Sequence, residues 1–247
     1  MPESIAPTQA AIDELAPTGV LRAGINLSNF LLVTDKTDPA TPKGVAPDMA
    51  AALAARLGVA VQYVPFPNPG ALADAAGTDT WDVGLIGAEP ARAEKIAFTE
   101  AYVEIQATYL VPTGSKLRHI ADVDAKGVRI SVSGRSAYDL WLTRNIENAT
   151  LMPVDGIQES FDQFVQLELE ALAGLRPRLI DDVKKLPGAR ILDGQFTAVQ
   201  QAIGTAKTNP NGAAFLADFV EEAKASGMVE GLIEKHGVVG RLTVAGI

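Results

Sequence analysis

In the stretch LIGAEPARAEKIAFTEAY, Leu85 to Tyr102, an apolar run that reads as a buried strand passes into a charged segment that reads as a surface helix. Arg92 sits near the join. A guanidinium is a planar, permanently charged fork of N–H donors that can clasp a carboxylate through two parallel bonds. The same fork could instead form a surface salt bridge with Glu89 or another nearby acid. Further on, Ser136 to Asp139 in SGRSAYD fits S-x-x-D, a helix-capping pattern with Asp in place of the usual Glu. Other chemistries are closed off by composition. There is no cysteine, which removes thiol nucleophiles, disulfides and thiolate metal sites together. The two histidines, His119 and His236, lie far apart without metal-ligand spacing, so no metal is expected and both read as ordinary surface residues.

The elements that must hold these residues follow from periodicity and breakers. After a short helix-like lead, GVLRAGINL (Gly19 to Leu27) reads as a buried strand and Thr34 to Gly44 as a polar turn. APDMAAALAARLGV reads as a helix with Asp48 as N-cap and Gly58 as stop, and AVQYVPF as the next strand. Strand, helix, strand implies a parallel βαβ unit. GALADAAGTDT, WDVGLIG and PARAEKIAF then predict helix, strand and a short helix opened by Pro90, and ATYLVPTGS (Ala107 to Ser115) a long strand. From KGVRISVSG the pattern restarts, and strands at ATLMPV and EALAGL alternate with helices at SAYDLWLTRNI, SFDQFVQLEL and RPRLIDDVKKLPG. A last long strand, FTAVQQAIGTAK, precedes two closing helices broken at Gly227 and Gly237, with no strand after them. The simplest arrangement is two mixed α/β lobes, residues 1–104 with 203–247 and residues 105–202, joined by two crossing strands. A cleft is expected between them, where strand C-termini and helix N-termini converge.

Bulk properties narrow the partners. The chain has 247 residues, 47% hydrophobic and 21% charged, an ordinary globular balance. Its formal net charge of −9 argues against nucleic acid or an anionic membrane surface, both of which would repel it at long range. No apolar run reaches the roughly 20 residues of a membrane span. The opening MPESIAPTQAAIDELAPTG has no basic or apolar leader pattern, which leaves open a cytoplasmic protein or one whose leader was replaced by Met1.

With that order in hand, DVGLIGAEPARAEKIAFTEAY, VRISVSGRSAYDL, EALAG and VEGLIEKHG resemble the extracellular solute-binding proteins of ABC transporters, in the amino-acid-binding family 3 group with the type II periplasmic-binding-protein fold. The likeness runs from Val20 to Gly237. It implies that Arg92 grips a ligand carboxylate, and that Ser136, Ala137 and the turn around them meet the same carboxylate with a hydroxyl and helix-N-terminal N–H groups, an anion-favouring arrangement. Ser136 could also serve only as a cap. Arg135 would add a second cation to the cleft or point to solvent. Asn26 and Phe30 match a polar residue and a ligand-covering aromatic, although Phe30 could equally be plain core.

The resemblance also has gaps. The aspartate with which such proteins pair a ligand ammonium falls at Leu175, and a buried ammonium without a counter-charge costs several kcal/mol. Either another acid substitutes, with Glu89 as the candidate, or the ligand has no ammonium. Gly87 and Ala88 stand where hydroxyl side chains are usual. Arg176 and Arg178 could add a site for a second carboxylate or form a solvated face flanking Pro177. The expected function is capture of a small carboxylate-bearing solute, an amino acid or related organic acid, by hinge closure for ABC-transporter uptake. The expected partner is a membrane permease, the setting periplasmic and the state monomeric, with no cofactor and no catalytic residue. The alternative is a cyclohexadienyl (prephenate or arogenate) dehydratase-like enzyme with Glu89 or Glu170 as general acid.

Overall fold

The computed structural model describes residues 5–246, so the first four residues of the opening stretch read above lie outside the described residues. The chain forms two compact units, one comprising the residues up to Glu104 and from Gln200 onward, the other Ile105–Val199. The return crossing, placed above between 202 and 203, falls between Val199 and Gln200.

The first unit contains α1 (Gln9–Leu15), β1 (Val20–Asn26), α2 (Val45–Leu57), β2 (Ala60–Phe66), α3 (Pro69–Asp74), β3 (Val83–Gly87) and β4 (Ile96–Phe98). The chain leaves it within β5 (Val103–Val111). The second unit adds β6 (Arg129–Ser133), α4 (Ala137–Asn145), β7 (Thr150–Val154), α5 (Ile157–Gln166), β8 (Ala171–Leu175), α6 (Arg176–Val183) and β9 (Arg190–Ile191). The chain returns within β10 (Thr197–Ala206) and finishes with α7 (Pro210–Ala225), α8 (Met228–Lys235) and β11 (Thr243–Val244) in the first unit.

Both units share one plan. In the first, β1 lies between parallel neighbours β2 and β3, and β10 runs antiparallel beside β3. In the second, β6 lies between parallel neighbours β7 and β8, and β5 runs antiparallel beside β8. The central strands β3 (VGLIG) and β8 (ALAGL) are buried at every position, as strands covered on both faces must be. Helix α5 buries Phe161 and Phe164 against Leu110, Leu172 and Leu179 in the second core. Trp81, Leu72, Ile86 and Ile96 form a cluster in the first. Gly24 and Gly84 face each other in register there, and a methyl at Gly84 would come within 2.9 Å of Leu72. Their bareness is what admits the indole and the leucine.

The repeat extends to a matching brace. Arg22 of β1 donates its backbone N–H and Nε to Asp82 Oδ2 and an Nη to Asp82 Oδ1, at 2.6–3.1 Å. Arg129 of β6 binds Glu170 in the same way, at 2.8–2.9 Å. Each acid immediately precedes the parallel neighbour of its arginine's strand, so each brace locks β1 to β3 or β6 to β8.

Three expectations about elements are corrected. PARAEKIAF is not a helix: it makes a single 3-10 turn (Arg92–Glu94) and then β4, because Ile96, Ala97 and Phe98 pair with Ala206, Thr205 and Gly204 of β10. Helix propensity yields here to a sheet edge with core to bury. Asp48 is not a cap: α2 begins at Val45 after Gly44, and Pro47 fits the first turn, where its missing N–H has no helical acceptor. Gly44 has φ +150°, and a Cβ there would lie 2.1 Å from Leu32 O, so only glycine can start this helix. A strand does follow the last helices, since β11 pairs with Val103 and Glu104.

Many carboxylates are held below their ordinary range. The Thr37 N–H holds Asp35 down at about 2, backbone N–H groups hold Asp122 and Asp124 down, and arginines lower Glu170 and Glu222. Groups whose folded pKa is depressed contribute stability above the unfolded value, and that contribution is lost as pH falls through the folded value. The melting temperature is therefore expected to fall steadily from about pH 5 to pH 2. A melting temperature constant across that window would contradict this assignment of the carboxylates.

Candidate functional site

The register Ile25↔Leu85 makes β1 and β3 end at the same edge of the first unit's sheet, so their following loops emerge together. One loop carries Asn26 and Phe30. The Asn26 amide oxygen accepts from the backbone N–H (3.1 Å) and hydroxyl (2.7 Å) of Ser28, closing a tight turn. Phe30 is half-buried, with the Arg241 guanidinium 5.5 Å from its ring centre.

The other loop runs Gly87, Ala88, Glu89 and Pro90 into the 3-10 turn. Ala88 donates to Gln200 O at 2.7 Å, and Glu89 O accepts from the backbone N–H groups of Arg92 and Ala93 at 2.9 Å each. Arg92 is only 6% exposed and donates from Nη1 to Gly87 O at 2.7 Å. Its charge is thus held inside the strand-to-turn join and not on a solvated helix. Glu89 is half-buried beside it.

In the second unit, the register Ser131↔Leu172 brings the ends of β6 and β8 to a common edge. Ser136 is the N-cap of α4, and its hydroxyl accepts from the Asp139 N–H at 3.1 Å. The expected capping box is shifted by one residue, since the Asp139 carboxylate accepts from the N–H of Arg135 at 2.6 Å. Burial raises the Asp139 pKa, and the Arg135 N–H opposes that rise. Arg135 is exposed and takes a left-handed φ of 60°, unusual for a non-glycine residue. Ala137 is buried in the first turn of α4. Tyr138 is buried next to it, its phenol pushed up to about 12 by burial, which outweighs hydrogen bonding with Ser136 and Ser133.

Leu175 is buried and precedes α6 without a side-chain cap. Arg176 serves the backbone around it, donating from Nε to the Gln106 side chain at 2.8 Å and from Nη2 to Leu192 O and Gly194 O. Arg178 pairs with Asp182 at 2.8 Å and with Gln158 at 2.6 Å. Both arginines are thus tied to their own unit, a different setting from a freely solvated face.

Two sequence readings fail on contact with these positions. Glu170 sits at the start of β8, opposite the edge that carries Ser136, and its carboxylate is kept ionised by Arg129; it is not placed or charged to act as an acid there. His236 is not a plain surface residue: its side chain is 10% exposed and its Nε2 lies 2.7 Å from Asp48 Oδ2. An aromatic group also escaped notice. Tyr109 and Trp141 flank Phe196 with ring centres 4.6 and 5.5 Å away, an arrangement made by residues too distant in sequence to signal it. Among the described residues no group of His, Cys, Asp or Glu is placed to hold a metal ion, and no helix is long and apolar enough to cross a membrane.

A search of curated proteins found no significant match. Solved structures are similar at low identity. An ancestral amino-acid-binding protein, described as a precursor of cyclohexadienyl dehydratase, shares 22% identity with a TM-score of 0.73 over 91% of this chain and 98% of its own. The binding component of an ABC transporter from Wolinella succinogenes, complexed with lysine, shares 19% identity with a TM-score of 0.73 over 88% and 95%. An amino acid ABC transporter substrate-binding protein from Streptococcus pneumoniae, bound to L-arginine, shares 16% identity with a TM-score of 0.72 over 96% and 100%. The architecture is accordingly the type II periplasmic-binding-protein fold, of two α/β units linked by two chain crossings. The sequence profile of one family matches residues 22–239, nearly the whole chain: this protein belongs to the bacterial extracellular solute-binding proteins, family 3.

Proposed function

We propose that the protein captures a small carboxylate-bearing solute, an amino acid or related organic acid, for uptake by an ABC transporter. The observation that carries the reading is Arg92, a buried guanidinium held at the edge of the first unit by its own turn. In this reading Arg92 takes the carboxylate, helped by Ser136, Ala137 and the N-terminus of α4, while Asn26, Phe30, Gly87 and Ala88 wall the solute. Solute contacts with both units would favour a closed state by hinge motion at the two crossings. The protein acts as a periplasmic monomer that hands its solute to a membrane permease, and needs no cofactor. Family membership and the amino-acid-bound relatives support this.

The nature of the solute turns on Leu175. It is apolar and buried, so a ligand ammonium must find its counter-charge at Glu89 or another acid, or the solute has none. Arg135 is left as an exposed cation near the α4 N-terminus, and Arg176 as a brace of the β8 end. A second reading, a dehydratase-like enzyme with Glu89 as general acid, is favoured only by the ancestral relative named above.

The test is a thermal-shift comparison of matched pairs, each α-amino acid against its des-amino or dicarboxylic analogue. At a hundred times Kd a ligand stabilises by about 2.7 kcal/mol, or a rise of about 5–11 °C for a chain of this size. Shifts from amino acids mean that Glu89 or another acid has replaced the absent aspartate. Shifts only from analogues lacking it assign a ligand class matched to Leu175. No shift from any acid overturns the carboxylate reading, and release of phenylpyruvate from prephenate would replace it with the enzymatic one.

A further inference from the structure

The segment after α8 is bound to the first unit at the edge that carries the candidate loops. Thr243 and Val244 pair with Glu104 and Val103, and Ala245 donates to Tyr102 O at 3.2 Å. Tyr102 in turn donates to Gln201 O, and Gln201 lies opposite Gly87 in the sheet, at the end of β3. Leu242 and Ala245 are buried, so the segment is anchored by packing as well as by backbone bonds.

From that anchorage it reaches the Asn26–Thr34 loop at two points. Arg241 places its guanidinium over Phe30, with 5.5 Å from the charged carbon to the ring centre. At the far end of the loop, His236 Nδ1 lies 3.4 Å from the Thr34 hydroxyl, while its Nε2 and Lys235 Nζ each lie 2.7 Å from Asp48 Oδ2 in α2. The loop is pinned at both ends, by Leu27 N–H to Phe66 O, Ala46 N–H to Leu32 O and Thr34 N–H to Lys43 O, and by the buried side chains of Leu31, Leu32 and Val33. Between those pins its inner bonds are the turns around Asn26 and Asn29, and Phe30 is only half-buried. A cation over an aromatic face fixes ring orientation, and an imidazole shared between hydroxyl and carboxylate fixes the backbone on either side.

We propose that this C-terminal strap positions the loop for solute, with Arg241 and His236 as positioning residues acting through Phe30 and Thr34. The proposal rests on the reading above that the loop faces the solute. By linkage, whatever the strap contributes to solute affinity the solute must return to the strap, so binding should also protect residues 241–245.

Amide hydrogen exchange of the ligand-free protein tests the mechanical half directly. Arg241→Ala and His236→Ala are expected to speed exchange at the amides of Leu31, Leu32 and Val33 by about tenfold, leaving β1 and β2 amides unchanged, as in local opening. Unchanged exchange at those three amides overturns the proposal, and acceleration throughout β1 and β2 overturns it equally, as general loosening of the unit. The binding half uses calorimetry with L-lysine, L-glutamate and succinate as probes. Arg241→Ala should weaken the best of them about two- to fivefold, the reach of a cation over a ring at a partly exposed site. Arg241→Lys should restore part of that loss, and Arg241→Ala should have no added effect in a Phe30→Ala background. Faster exchange with unaltered affinity would sink the loop's role in binding while leaving the strap's hold on it. If none of the three binds the wild type, exchange alone decides the strap, and the carboxylate reading rests with the wider thermal-shift panel.

Discussion

Replacing Arg92 by alanine is expected to weaken solute binding by about 2–5 kcal/mol, roughly 30- to 5,000-fold, with little change in melting temperature. The size follows from burial. Arg92 is 6% exposed, so a carboxylate meeting it is largely out of water, where a charge-assisted pair is strong and the loss of one partner strands the other. Arg92→Lys should recover only part of the affinity, since an ammonium cannot present two parallel donors. Calorimetric titration with the best acid from the thermal-shift panel measures both variants. Unaltered affinity in Arg92→Ala, with a lowered melting temperature, would assign the residue to holding its own turn through Gly87 O and would remove it from binding.

The second large effect is on stability. Asp82→Ala should cost about 1–3 kcal/mol, because it leaves the Arg22 backbone N–H and Nε without their acceptor at a place where the two side chains are 15% and 3% exposed, while the guanidinium keeps the carbonyl and carboxylate of Asp79. For a chain of this length that is a fall of about 2–12 °C in melting temperature. The matching change in the second unit, Glu170→Ala, should cost only about 0–1 kcal/mol, since that pair is 43% and 37% exposed and screened by solvent. Equal losses would mean that the geometry of the repeated brace matters more than its burial. The two braces also keep the edges of each unit aligned, because each ties the start of one site-bearing strand to the next.

The positions of several candidate residues relative to the strands could be read without coordinates. Arg92, Ser136 and Leu175 are the positions that the family resemblance singles out, and the structure places the first two in the turns that follow β3 and β6 and the third at the end of β8. Arg176 could not be judged in the same way: whether it serves a ligand or the backbone depends on carbonyls at Leu192 and Gly194, which only the chain's later course brings near. His236 was unreadable for a similar reason, because its partners Thr34 and Asp48 lie at the other end of the sequence.

The sequence by itself determined the alternation of strands and helices and the doubling of the α/β unit. Hydrophobic period, glycine stops and capping residues act within a few residues of one another. It also determined which chemistries were absent, since composition alone excludes thiols. Tertiary structure decided what local preference could not. PARAEKIAF became a turn and a strand because β10 offered an unpaired edge, and Glu170 became a brace because Arg129 stood in register beside it. The C-terminal residues became a strap because β5 had an edge to fill and Phe30 a face to cover. Each of these outcomes is a contact between residues distant in the chain, and its free energy exists only once the fold has brought them together.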